Sequence, residues 1–264
     1  MNFSNKLSIA LIGAVAIIAI VQPTPVFAIS AQIPSASVTA GEKAEDFFDQ
    51  GNNKYDKGDY QGAIDAYSQA IKLNPNYASA YVGRGNARDD LGDRQGAIAD
   101  YNEALRINPN DASAYYNRGV TRNRLGDKEG EIADYNEALR IDPNYAPAYG
   151  NRGITRAESG NLQGAVADFT EVLRINPNNA KAYGNRGIAR AKSGDKQGAI
   201  ADFTEVLRIN PNDATAYYNR GIARSQLGDK KTGIQDFQKA ADLYQQQGNK
   251  NDYQDAIDNI KKLQ

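Results

Sequence analysis

Ten arginines recur in register along this chain of 264 residues. Arg84, Arg118, Arg152, Arg186 and Arg220 stand 34 residues apart, and Arg88, Arg122, Arg156, Arg190 and Arg224 each follow one helical turn later. A ladder of this kind could serve as a track for phosphates or carboxylates. Each unit that carries the first arginine also carries an aspartate sixteen residues on: Asp100, Asp134, Asp168, Asp202 and Asp236. The first unit has Gln50 and Ala66 instead and so lacks both. Joint loss predicts an ion pair within each unit, because a half-buried charge left without its partner is costly. For the second arginine, the candidate partners are glutamates such as Glu103, Glu137, Glu171 and Glu205.

Other chemistry is restricted by what the chain lacks. With no His and no Cys, a zinc site of the usual ligands, a Cys nucleophile, a Ser-His triad and a disulfide are excluded. No catalytic constellation, metal site or cofactor is expected. The formal net charge is −1, and −2 once Lys6 is removed with the N-terminal segment (30 basic against 32 acidic residues). That balance argues against a nucleic-acid partner.

The elements that place these residues are copies of one unit. Gly51, Gly85, Gly119, Gly153, Gly187 and Gly221 recur every 34 residues. An aromatic precedes each by four (Phe47, Tyr81, Tyr115, Tyr149, Tyr183, Tyr217), and a second glycine follows by seven. Then come a small residue (Ala63, Ala97, Ala165, Ala199), an aromatic (Tyr67, Tyr101, Tyr135, Phe169, Phe203, Phe237) and, in five units, a closing proline. Glu131 stands where the third unit should have the small residue. In residues 112–145, ASAYYNRGVTRNRL has helical spacing and stops at Gly126; Asp127 caps a second helix that Pro143 ends. A mid-helix glycine costs about 1 kcal/mol against alanine, so its return in six units predicts a close helix contact there.

The spacing aromatic, x3, Gly, x11, Ala, x3, aromatic, x2, Ala, x4, Pro resembles the tetratricopeptide repeat, in six units: 44–77, 78–111, 112–145, 146–179, 180–213 and 214–247. The resemblance implies an all-α fold, a right-handed superhelical solenoid of antiparallel helix pairs. It also implies a concave face, lined by the first helices, that holds a peptide or a partner's helix. Chaperone-binding members grip a terminal carboxylate with Lys, Asn and Arg. The comparable positions here hold Phe48, Asn52, Gly83, Ser113 and Asn117, of which only Asn52 fits.

If the arginines and the repeat glycine face the partner helix, steps of three and four select the opposite side. Asn117, Asn151, Asn185 and Asn219 recur there, with Val120, Ile154, Ile188 and Ile222 one turn on and Arg124 nearby. An asparagine ladder is a candidate reader of an extended peptide, since each amide both donates to and accepts from a backbone. Simple duplication of a solvated helix residue explains the same pattern equally well.

The ends complete the plan. Residues 248–264 carry Tyr253, Ala256, Ile257, Ile260 and Leu263 as one stripe, a capping helix that could also seat a second copy. Residues 1–28, with Lys6, an apolar run over 7–21 and small residues before the break, read as a cleaved signal peptide; 29–43 form a leader. The run is shorter than the ~20 residues that span a bilayer, so no membrane span is expected after cleavage. The expected protein is an exported, non-catalytic scaffold in an envelope complex. Its compartment is periplasmic or extracellular, or the thylakoid lumen in a photosynthetic source. The alternative is a self-associating protein that stacks through its ends.

Overall fold

A computed structural model describes residues 39–264, which form thirteen α-helices and no strand. The proposed signal peptide and residues 29–38 lie outside the described residues. Six helix pairs follow one another: α1 (Ala40–Asp56) with α2 (Tyr60–Leu73), α3 (Ala78–Asp90) with α4 (Arg94–Ile107), and α5 (Ala112–Leu125) with α6 (Lys128–Ile141). Next come α7 (Ala146–Glu158) with α8 (Leu162–Ile175), α9 (Ala180–Lys192) with α10 (Lys196–Ile209), and α11 (Ala214–Gln226) with α12 (Lys230–Gln246). The last helix, α13 (Lys250–Leu263), packs on α12. α1 begins four residues before position 44, because Thr39 accepts from the Glu42 backbone while Glu42 accepts from that of Thr39, a reciprocal cap. The leader therefore ends before Ala40.

Within a unit the turn between helices is set by two residues. Gly126 has φ 80°, a left-handed conformation that side chains disfavour, and Asp127 Oδ1 accepts from the Gly130 amide at 2.9 Å to start α6. The same glycine and Asx cap start every second helix. At the crossing, the repeat glycine admits the aromatic of the second helix. A Cβ on Gly119 would lie 2.8 Å from Tyr135, and one on Gly153 would lie 2.9 Å from Phe169. Ala63, Ala97, Ala165 and Ala199 are fully buried beside these rings. The sequence reading of a packing glycine holds.

The arginine ladder is consumed by this packing. Arg118 grips Asp134 with Nε at 3.0 Å and Nη2 at 2.6 Å, stacks over Tyr115 at 5.3 Å, and donates to Asn102 of the preceding unit at 2.7 Å. All five units with the first arginine repeat the pair. The second arginine differs from expectation: Arg122 binds the same Asp134 at 2.8 Å, not a glutamate. Glu103, Glu137, Glu171 and Glu205 pair instead with Arg106, Arg140, Arg174 and Arg208 one turn away on their own helices. The reason is reach, since the aspartate lies buried at the helix crossing and the glutamates point to solvent. These aspartates are only 2–4% exposed, so two guanidinium groups balance one buried carboxylate.

Odd-numbered helices also touch across units, α1 with α3, α3 with α5, α7 with α9 and α9 with α11. Such contact places them on the crowded inner side of the stack.

Candidate peptide-binding groove

The predicted groove residues fall on this inner row. Asn117 and Val120 lie on α5, Asn151 and Ile154 on α7, Asn185 and Ile188 on α9, and Asn219 and Ile222 on α11. All are half-buried except Ile188, which is 39% exposed.

The asparagines do not form one ladder. Asn117 Nδ2 donates to Asn86 Oδ1 at 3.0 Å, and that oxygen also accepts from the Tyr101 hydroxyl at 2.8 Å. Asn151 Nδ2 donates to the hydroxyls of Tyr116 at 3.2 Å and Tyr135 at 3.5 Å. Among the described residues, the Asn185 and Asn219 side chains make no hydrogen bond. The cause lies sixteen residues away on the second helices. A buried tyrosine hydroxyl needs a partner, and the first three units carry Tyr67, Tyr101 and Tyr135 there. The last three carry Phe169, Phe203 and Phe237, which ask for none. Burial drives the hydroxyls of Tyr101 and Tyr135 above the ordinary tyrosine range, with the charges of Asp89 and Glu131 adding to it. A signal for this split is present in the sequence. The residue after the repeat glycine is Asn52 or Asn86 where the aromatic is Tyr67 or Tyr101, and Ile154, Ile188 or Ile222 where it is phenylalanine. The third unit departs from this, with Val120 beside Tyr135, whose hydroxyl meets Asn151 of the next unit instead.

The groove floor is also uneven. Three residues before the repeat glycine stand Phe48, Val82, Tyr116 and Tyr218, but Gly150 and Gly184 occupy that place in the fourth and fifth units. Packing does not require them: a Cβ there would meet nothing nearer than 4.0 Å and 3.9 Å. The space opens a cleft of about 260 Å³ between Tyr116, Pro147, Gly150, Phe169 and Asn185. A second cleft of about 140 Å³ adjoins it, sharing Ile154, Phe169 and Asn185 and reaching Ile188 and Lys192. The result is an apolar trough with the unpartnered amide of Asn185 along it.

Towards the first units the groove changes character. A cleft of about 300 Å³ is lined by Phe48, Asn52, Gly83, Asp111 and Ser113, with no Lys or Arg. Asn52 there accepts from Tyr67 at 2.8 Å. A terminal carboxylate would find no cation to grip it. Arg124, predicted at the groove, is there but pairs with Asp89 of the preceding unit. Glu131 is buried at the helix crossing, where Thr155 donates to it at 2.7 Å and Asn123 at 2.9 Å. Among the described residues, no acidic group of three or more is placed to hold a metal ion, and no helix is long and apolar enough to cross a membrane.

An α-solenoid of helix pairs with a continuous inner face is the architecture of a protein-interaction scaffold. Tetratricopeptide repeat models match residues 48–112, 82–146, 151–214 and 186–248, and the chain belongs to that family. No curated protein matches its sequence. Among solved structures, a MamA protein is 27% identical with a TM-score of 0.59 over 66% of this chain and 96% of its own. YrrB, described as a TPR protein with an unusual peptide-binding site, is 22% identical with a TM-score of 0.67 over 74% of this chain and 99% of its own. The pilF protein of Pseudomonas aeruginosa is 16% identical with a TM-score of 0.67 over 82% and 97%. The last two likenesses attest the fold alone.

Proposed function

We propose that this chain is an exported, non-catalytic scaffold that binds an extended peptide segment of a partner protein along its inner face, over the fourth to sixth units. The observation that carries the reading is the half-buried, unpartnered amide of Asn185 in the apolar trough, with a second such amide, Asn219, on the next inner helix. A polar group in an apolar trough gains most when a ligand completes its hydrogen bonds. An amide that donates and accepts suits a peptide backbone, and Ile154, Ile188 and Phe169 offer apolar contact beside it. Gly150 and Gly184 leave the width for the ligand's side chains.

Export rests on residues 1–28, whose apolar run and small residues suit a signal peptidase. The partner then belongs to an envelope complex, in the periplasm, outside the cell or in a thylakoid lumen. Stacking through the ends is the weaker reading, because α13 buries Ala256 and Ile260 within the chain and donates from Asn259 to Tyr218 at 3.0 Å.

The test is selection of a random-peptide phage library on the full chain, followed by affinity measurement on the Asn185→Ala/Asn219→Ala variant. Binding that is unchanged in a folded variant would remove the groove assignment.

A further inference from the structure

Beyond the five repeat aspartates, two carboxylates are buried among the described residues, Glu131 and Asp89. Both oxygens of Glu131 accept hydrogen bonds. Asp89 is different. It is 8% exposed, Arg124 binds only its Oδ2, and its Oδ1 is buried without a hydrogen-bond partner.

The chain supplies its own standard of comparison. Asp134 receives three charged hydrogen bonds from two guanidinium groups, one from Arg122 and two from Arg118. Asp89 receives one bond from one arginine, so it holds half the cationic complement that every other buried aspartate here has. Buried charge normally carries a full set of partners. The missing part is a second cation.

There is room for it. Asp89 lines an inner-face cleft of about 220 Å³ with Asp90, Tyr55, Tyr101, Tyr116 and Arg124. Tyr55 donates to Asp90 at 2.5 Å, and burial followed by that carboxylate holds the Tyr55 hydroxyl above its ordinary range. The cleft thus presents two carboxylates and three aromatic rings against one arginine that is itself 43% exposed along its side chain. Carboxylates that take the charge and rings that take the flat face are what a guanidinium or ammonium needs.

We infer that this cleft is a subsite for a basic side chain, a lysine or arginine, of the peptide bound in the groove, where the peptide runs on from the fourth unit past Tyr116, which lines both clefts, into the third and second units. The inference rests on the peptide-binding reading above. In the free protein Arg124 stands in for half of the guest. A ligand's cation reaches Asp89 and Asp90 from the groove and either shares Asp89 with Arg124 or displaces it. Arg124 therefore competes with the ligand, the opposite of a ligand-gripping role.

The experiment uses peptides selected from the random-peptide phage library on the full chain, synthesised with a fluorophore and titrated by anisotropy. Selected peptides should share a lysine or arginine. Replacing it by norleucine should weaken binding about tenfold, as should Asp89→Asn/Asp90→Asn, and the two losses should not add. Asp90→Asn alone changes an exposed carboxylate and serves if the double variant does not fold. Arg124→Ala should strengthen binding about threefold, the size of a partly exposed pair. Peptides without a basic residue, or weaker binding in Arg124→Ala, would overturn the subsite while leaving the groove in place. If no peptide is enriched, the groove reading falls and the subsite with it.

Discussion

Arg152 and Asp168, sixteen residues apart on α7 and α8, meet through two parallel hydrogen bonds, Nε to Oδ2 at 3.1 Å and Nη2 to Oδ1 at 2.6 Å. Arg156 adds a third at 2.8 Å. Asp168 is 2% exposed, so its removal leaves two arginines with an empty socket. Asp168→Ala should lower unfolding free energy by about 3–5 kcal/mol. Adding Arg152→Gln and Arg156→Lys copies the first unit, which has Gln50, Lys54 and Ala66, and should restore more than half of the loss. Urea unfolding followed by circular dichroism measures both.

Two glycines on one helix should respond with opposite signs. Gly153→Ala places a methyl 2.9 Å from Phe169 and should cost about 1–3 kcal/mol despite better helix propensity. Gly150→Ala meets nothing within 3.9 Å and should stabilise by about 1 kcal/mol. The same Gly150 variant narrows the trough, so peptide affinity should fall while the melting temperature rises. Loss of stability in both variants would contradict the open floor.

The asparagines should divide into two classes. Asn151→Ala removes the partner of two tyrosine hydroxyls and should destabilise by about 1 kcal/mol. Asn185→Ala and Asn219→Ala should leave the melting temperature unchanged and reduce peptide affinity. Thermal melts and anisotropy on the same samples separate the classes.

Stability should fall at alkaline pH. Burial, followed by the charge of Asp56, pushes the Tyr67 hydroxyl up from 10.0 to about 12. The unfolded chain ionises this group first, so its contribution is whole below about pH 10 and is lost as pH rises through about 12. Tyr101 and Tyr135 shift in the same direction. Tyrosinate absorbance and helical circular dichroism should therefore change together in that window, whereas exposed tyrosines would ionise near 10 with the helices intact.

The fold was legible because a tandem repeat prints each local interaction five or six times. The repeat glycine and its ring partner, the Asx cap of each second helix, and the pairing of Arg84 with Asp100 all join residues at fixed spacing inside one unit. An ion pair lost as a whole from the first unit was readable for the same reason. The second arginine escaped, since spacing alone does not distinguish a buried aspartate from a glutamate one turn further on that points to solvent.

The sequence by itself determined the unit, its phase and the side of the helix that packs. Only the tertiary structure decided which residues of the other side remain open, because their partners come from neighbouring units. Asn151 is held by Tyr116 of the preceding unit, and Arg124 by Asp89 thirty-five residues back, whereas Asn185 shares its cleft with Phe169, a ring that carries no hydroxyl. A hydrogen bond between units depends on how two helices lie side by side. That geometry is a property of the stack, and no single copy of the repeat contains it.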